Sequence, residues 1–243
     1  MSTRKALIAL TAAAAFVVAT ACGPSSTAEP STSTSAAPAA QSACADLAGT
    51  VDADQTCRVH AATPTYVVDM TFPVDYPDQQ SLSDVLRQEY DSFIDWVAQF
   101  GQPARGRPYE KTVTATSYSS GTPESGTRTL VLKVQSDAGL AHEGHPNTSF
   151  DALNYNLAKH AAITFDTLFK PGTQPLETLN PIVLRELQKP GSVVNDLSER
   201  TYQNFALTDD AVLFFFAQDQ VIVDNNGSHR VSVPKAELAS LLA

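Results

Sequence analysis

Residues 23–43 hold 18 Ala, Ser, Thr or Pro in 21 positions and no Leu, Ile, Val or aromatic side chain. A segment with nothing to bury cannot offset its chain entropy. Any core must therefore come from the 200 residues that start at Cys44, enough for one large domain or two small ones. Upstream, Arg4 and Lys5 precede an apolar run over residues 6–18, and Ala19-Thr20-Ala21 places small residues ahead of Cys22. This is the pattern of a bacterial export signal over residues 1–21. Its 13 residues, 12 of them apolar, are too few for a permanent membrane span, which takes about 20. A cysteine directly after the small residues matches a lipobox, although Ala19 stands where Leu is preferred. Cys22 is thus the expected lipidation site, carrying palmitate-type acyl chains as the first residue of a mature lipoprotein. Each buried methylene contributes about 0.8 kcal/mol, so two or three chains hold a protein at a membrane. Cleavage after Ala21 without acylation would instead release a soluble protein.

Residues 22–43 then form a tether with a root-mean-square reach of roughly 25 Å and an extended length of about 70 Å. It sets the folded body at the extracytoplasmic face of the cell membrane or in the envelope. There the pair Cys44 and Cys57, 13 residues apart, is expected to form a disulfide. Closing a loop of that size stabilises by about 3 kcal/mol in the chain-entropy model. From Cys44 onward, 14 Lys or Arg stand against 25 Asp or Glu, leaving −11. Such a surface repels phosphates, so no nucleic-acid partner is expected. With three cysteines in all, a thiolate zinc site is excluded. No cofactor or metal is called for.

Within the body, alternation predicts a strand over 66–72, and apolar residues at three and four residue spacing predict a helix over 82–100. Ser81 is its expected N-cap, and Gly101 closes it. Strands over 109–118 and 127–135 read as a hairpin across the turn from Gly121 to Gly126. After Gly139 the pattern restarts, with a strand near 149–157, a turn through His160, a segment over 164–169 and a helix over 176–189 containing Pro181. A second hairpin, 203–207 and 212–216, flanks Asp209-Asp210, and a last strand over 231–233 leads through Pro234 into a terminal helix. The expectation is an α+β fold with mixed, largely antiparallel sheets and packed helices. It is laid out as an N-terminal part over 44–140 and a C-terminal domain over 141–243.

Candidate chemistry is sparse. No G-x-S-x-G elbow is present, and Gly121-Thr122-Pro123-Glu124-Ser125-Gly126 reads as a turn. His142-Glu143-Gly144-His145 is the most metal-like cluster, but it lacks the helical i, i+4 spacing, and Gly144 and Pro146 indicate a loop. His60, His160 and His229 are scattered singly. Asp209-Asp210 and Asp224-Asn225-Asn226-Gly227 lack the oxygen ladder of a calcium loop and read as turns. Trp96 reads as packing, and Phe214-Phe215-Phe216 as a strand buried on both faces. Catalytic residues are unknown at this stage.

Several segments go further. Cys44-Ala45-Asp46-Leu47-Ala48-Gly49-Thr50 with Cys57, Tyr76-Pro77-Asp78-Gln79-Gln80-Ser81-Leu82, Leu130-Val131-Leu132-Lys133-Val134, and His145-Pro146-Asn147-Thr148 resemble the mycobacterial secreted immunogenic protein family, a major culture-filtrate antigen. So do Thr164-Phe165-Asp166-Thr167-Leu168-Phe169 and Tyr202-Gln203-Asn204-Phe205-Ala206-Leu207-Thr208. The later half also resembles the domain of unknown function in lysozyme-sensing anti-sigma factors. The resemblance implies an exported antigen with a β-grasp-like element, a disulfide matching Cys44 and Cys57, and no established catalytic residues. Its best-known members are released, whereas Cys22 points here to retention. The leading expectation is a non-enzymatic envelope lipoprotein that binds another macromolecule, a basic lysozyme-like protein being one candidate partner. An envelope-associated esterase or other hydrolase is the alternative, and a carrier of apolar ligands a third.

Overall fold

The computed structural model describes residues 42–103, 107–137, 146–188, 193–223 and 227–243. Ala40–Ala243 form one compact unit. The expected export signal, Cys22, nearly all of the tether, the His142 to His145 cluster and Asp224 to Asn226 lie outside the described residues.

The body opens on a short helix, α1 (Ala43–Asp46), followed by β1 (Thr50–Val51) and β2 (Thr56–Ala62). None of the three is anticipated by periodicity, because two are shorter than one pattern repeat and β2 ends in two alanines. Cys44 on α1 is bonded to Cys57 on β2, with the Cα atoms 5.7 Å apart. The disulfide thus ties the first turn of the body to the sheet. Gly49 packs against it: a Cβ there would lie 2.6 Å from Cys57 Sγ and 2.9 Å from Cys44 Sγ. Gly49→Ala is therefore expected to lower stability by about 2 kcal/mol through overpacking, read by chemical denaturation of the oxidised protein.

Next come β3 (Tyr66–Pro73) and α2 (Gln79–Phe100). The cap of α2 is Asp78, three residues before the expected one, and its carboxylate accepts from the N–H and the hydroxyl of Ser81. Two glutamines with good helix propensity fill the added turn. Leu82, Leu86, Phe93 and Val97 form the buried stripe. The helix carries the chain across to β4 (Tyr109–Ser120), which pairs parallel with β3, as parallel neighbours require a long crossover. The hairpin from β4 to β5 (Thr127–Asp137) forms where expected. At its tip a Cβ on Gly126 would fall 2.1 Å from the Ser120 carbonyl, so only glycine closes this turn. β6 (Asn147–Asn156) and β7 (Ala161–Ala162) complete a seven-stranded sheet in the order β1-β2-β3-β4-β5-β6-β7. Because β5 and β6 are hydrogen-bonded neighbours across residue 140, the two parts drawn at that point share a sheet.

The remainder comprises α3 (Phe165–Leu168), α4 (Pro175–Leu187), β8 (Val193–Val194), a 3-10 turn (Glu199–Tyr202), β9 (Phe205–Leu207), β10 (Ala211–Phe216), β11 (Ile222–Val223), β12 (His229–Pro234) and α5 (Lys235–Leu238). α4 starts at Pro175, one residue before the expected start, and holds Pro181 in its interior. The terminal helix is short, ending at Leu238. Strands β12, β10 and β9 form a three-stranded antiparallel sheet.

The two faces of the large sheet are used differently. On one, Val68, Met70, Val113, Leu132 and Val134 pack under Leu82, Leu86, Phe93 and Val97 of α2, a helix laid across a mixed sheet in a β-grasp-like way. On the other, Val131 meets Ala206 and Phe215 of the small sheet. A buried polar joint sets the register there: Thr129 donates to Asn154 Oδ1 at 2.6 Å, and Asn154 Nδ2 donates to the Phe205 carbonyl at 2.9 Å. The Phe214-Phe215-Phe216 strand is buried on both faces, as expected. Phe214 and Phe216 edge the Tyr202 ring, while Phe215 faces Tyr118 and Phe150.

Candidate ligand cleft

Alternation places Tyr109, Lys111, Val113 and Ala115 of β4 on the face beneath α2, so Lys111 is a cation at an inward position. Its side chain is 8% exposed. The ammonium donates to Glu89 Oε2 and, at 3.1 Å, to the Glu89 carbonyl, and it stands 5.6 Å from the centre of the Phe93 ring. Glu89 interrupts the apolar stripe of α2 between Leu86 and Phe93. On β6, Asp151 stands opposite Leu132 of β5, on the same sheet face. Burial pushes its carboxyl up to about 6, with the charge of Glu89 adding to the rise and that of Lys111 opposing it. Two carboxylates and one ammonium are thus gathered under one helix.

The sign of the Asp151 shift makes a prediction. Its folded pKa lies above the unfolded one, so ionisation is disfavoured in the folded protein, and stability falls as pH rises from about 4 through about 6. Asp151→Asn is expected to raise stability at pH 7 by about 2 kcal/mol, allowing for solvent screening, and to leave it unchanged near pH 4. Urea denaturation across that pH range checks it.

Beside this cluster a cleft of about 330 Å³ opens between the C-terminal half of α2 and the ends of β4, β5 and β6. Phe93 and Trp96 form its apolar wall, and Lys111, Ser136, Asp137 and Asn147 its polar side, with Ser92 at the helix. Trp96 belongs to an aromatic series, with Phe100 tilted against it at 4.7 Å and Tyr109 edge to face at 5.0 Å between ring centres. Phe100 remains 60% exposed. Asp137 is paired with Arg107 at 3.7 Å. A second depression, bounded by Leu47, His60, Arg87 and Asp91, lies on the opposite flank of α2. There His60 is bonded to Asp69 at 2.7 Å and Arg87 to Asp46 at 3.5 Å, and all four side chains but Asp46 are largely exposed. The cleft at Trp96 is the better candidate, because it combines apolar walls with a buried charge.

The residues singled out from sequence fare unevenly. Trp96 packs, but one side of it also lines the cleft. Asp209 is a structural acceptor for the Gly121 N–H at 2.7 Å, joining the tips of the two hairpins, and Thr122 and Ser125 bond each other within the first turn. His160 occupies a turn with φ 49°, and His229 lies at the start of β12. Glu89, Lys111 and Asp151 escape pattern reading, which treats charges as solvated. For Lys111 and Glu89 the signal is phase, each being a charge at an inward position of a largely apolar face, whereas Asp151 shares its face of β6 with Asn147 and Ser149 and gives no such signal.

A helix across a mixed sheet, backed by a small antiparallel sheet, defines an α+β class whose fold is shared by two solved proteins of the DUF3298 family. The one from Pseudomonas aeruginosa has a TM-score of 0.53 at 13% identity, covering 81% of this chain and 96% of that one. The one from Bacteroides fragilis has 0.50 at 11%, covering 80% and 94%. Residues 166–236 match the family described as a protein of unknown function, DUF3298. At the level of sequence, the chain belongs to the family of the mycobacterial immunogenic proteins. It is 37% identical over 206 residues to immunogenic protein MPB64 of Mycobacterium bovis and to immunogenic protein MPT64 of Mycobacterium tuberculosis, covering 82% of this chain and 88% of theirs. It is 48% identical over 204 residues to the esterase Rv3036c of Mycobacterium tuberculosis, with the same coverage.

Proposed function

We propose that the protein is an exported esterase, held at the outer face of the cell membrane by acyl chains on Cys22 and displayed as an antigenic envelope protein. The observation that carries the enzymatic reading is the 48% identity, along 82% of the chain, to a protein named an esterase. It moves the weight from binding, which the motif-poor sequence favoured, to hydrolysis. The Cys44–Cys57 disulfide supports export, since such bonds persist outside the cytoplasm. The test of hydrolysis is release of p-nitrophenol from p-nitrophenyl butyrate by the purified mature protein; a rate no higher than that of a mock preparation overturns it. The test of anchoring is metabolic labelling with a palmitate analogue. Label that persists after Cys22→Ala overturns the assignment to Cys22.

A second reading rests on the charge of −11 from Cys44 onward. Such a body attracts a basic macromolecule, for example a lysozyme-like protein, by long-range electrostatics. Capture of lysozyme that weakens between 50 and 500 mM salt supports it, because screening shortens such attraction. Capture that ignores salt overturns it.

A further inference from the structure

We infer that the cleft between α2 and β4–β6 binds an ester through its carbonyl group, with Lys111 donating to the carbonyl oxygen and the Trp96 ring covering the apolar part. This rests on the esterase reading and assigns it a site. Lys111 carries three ammonium protons. Two are directed to the carbonyl and the carboxylate of Glu89, and no acceptor among the described residues takes the third. The residue nevertheless lines the cleft, beside the Phe93 and Trp96 wall. A buried cation with one uncommitted donor, next to aromatic rings, suits a ligand with one acceptor atom and an apolar body. An anionic ligand suits it less, because the ammonium is already bonded to the Glu89 carboxylate and the Asp137 carboxylate shares the lining of the cleft. The volume of about 330 Å³ lies near the lower end of ligand pockets, which favours a small ester.

The chemistry that follows is simple to balance. Water's oxygen bonds to the acyl carbon, the bond from that carbon to the alcohol oxygen breaks, and a proton of the water ends on the departing alcohol. During addition the carbonyl oxygen gains negative charge, which the ammonium offsets. This is the kind of electrostatic contribution that acts most strongly away from bulk water.

Trp96 is the single tryptophan of the chain, so its fluorescence reports on this cleft alone. The probe is 2-octanone, a ketone that presents the carbonyl and tail of an ester but cannot be hydrolysed. The expected result is a saturable change in Trp96 emission in the mature protein. The paired variant Glu89→Gln with Lys111→Met removes the donor together with the carboxylate bonded to it. It is expected to weaken binding on the order of tenfold, the loss of one hydrogen bond to a charged group, at unaltered circular dichroism. Ser92→Phe, on the exposed flank of α2, fills the cleft mouth without touching the core and is expected to abolish the response. This keeps the inference testable if the paired variant unfolds. No saturable change, or one that survives Ser92→Phe undiminished, overturns the inference, as does undiminished affinity in a folded paired variant. Turnover of p-nitrophenyl butyrate without a Trp96 response to the ketone overturns this site and leaves hydrolysis standing. A Trp96 response that is lost in the variants, in a protein without turnover, supports the cleft and overturns hydrolysis.

Discussion

Replacing Lys111 alone with methionine is expected to lower stability by about 4 kcal/mol, the range seen when one partner of a buried ion pair is removed. Methionine fits the space and keeps the contact with Phe93, so the loss is electrostatic. Glu89 is left with its carboxylate 22% exposed and without its cation. Asp151 loses the one neighbour that lowers its pKa, so its ionisation becomes still harder in the folded protein. The deficit should therefore be smaller at pH 5, where Asp151 takes up a proton, than at pH 8. Urea denaturation at both values checks this. A deficit below 1 kcal/mol, or one independent of pH, would show that the pair is solvated. The paired Glu89→Gln, Lys111→Met change should recover much of the loss, because neutralising both partners of a buried pair is far less harmful than orphaning one.

Phe214→Ala is expected to have an effect of similar size, about 4 kcal/mol, with a fall in melting temperature of about 10 °C for a body of this size. The ring is 0% exposed. It meets Tyr202 edge to face at 5.3 Å between centres and Phe205 at 6.3 Å, so truncation leaves a cavity between β10 and the 3-10 turn. Tyr202 is itself tied down by its hydroxyl, which donates to Asn180 Oδ1 of α4 at 2.7 Å. It therefore has little freedom to move into the void. By contrast Phe100→Ser, at a ring that is 60% exposed, should change stability by about 0.5 kcal/mol or less. Melting curves of the two variants side by side decide whether burial, and not aromatic content, sets the loss.

Where periodicity was strong, the elements were legible. α2, the β4–β5 hairpin and the β9–β10 hairpin form at the expected places, because each has a full apolar face and a turn of the right chemistry. β2 was not legible, since His60, Ala61 and Ala62 blur its alternation, and it is held by seven register pairs to β3 that no local signal encodes. The Asp78 cap is not legible because Ser81, three residues on, is an equally good capping side chain by type, and Asp78 takes the role by accepting from the Ser81 N–H and hydroxyl. Of the candidate cleft, the sequence alone points to Trp96, and to it as packing.

The residues in order were enough to place the foldable body after the Ala, Ser, Thr and Pro segment, to mark Cys22 as the acylation candidate, to pair Cys44 with Cys57, and to set an α+β class with an acidic surface. These follow from composition and short-range pattern, which survive without knowledge of neighbours. The parallel docking of β4 on β3, the use of both faces of one sheet and the meeting of Glu89, Lys111 and Asp151 were settled only in three dimensions. Those three charges lie 22 and 40 residues apart in the chain. Crossing of α2 over the sheet brings them together and removes the water that would have made them ordinary surface charges.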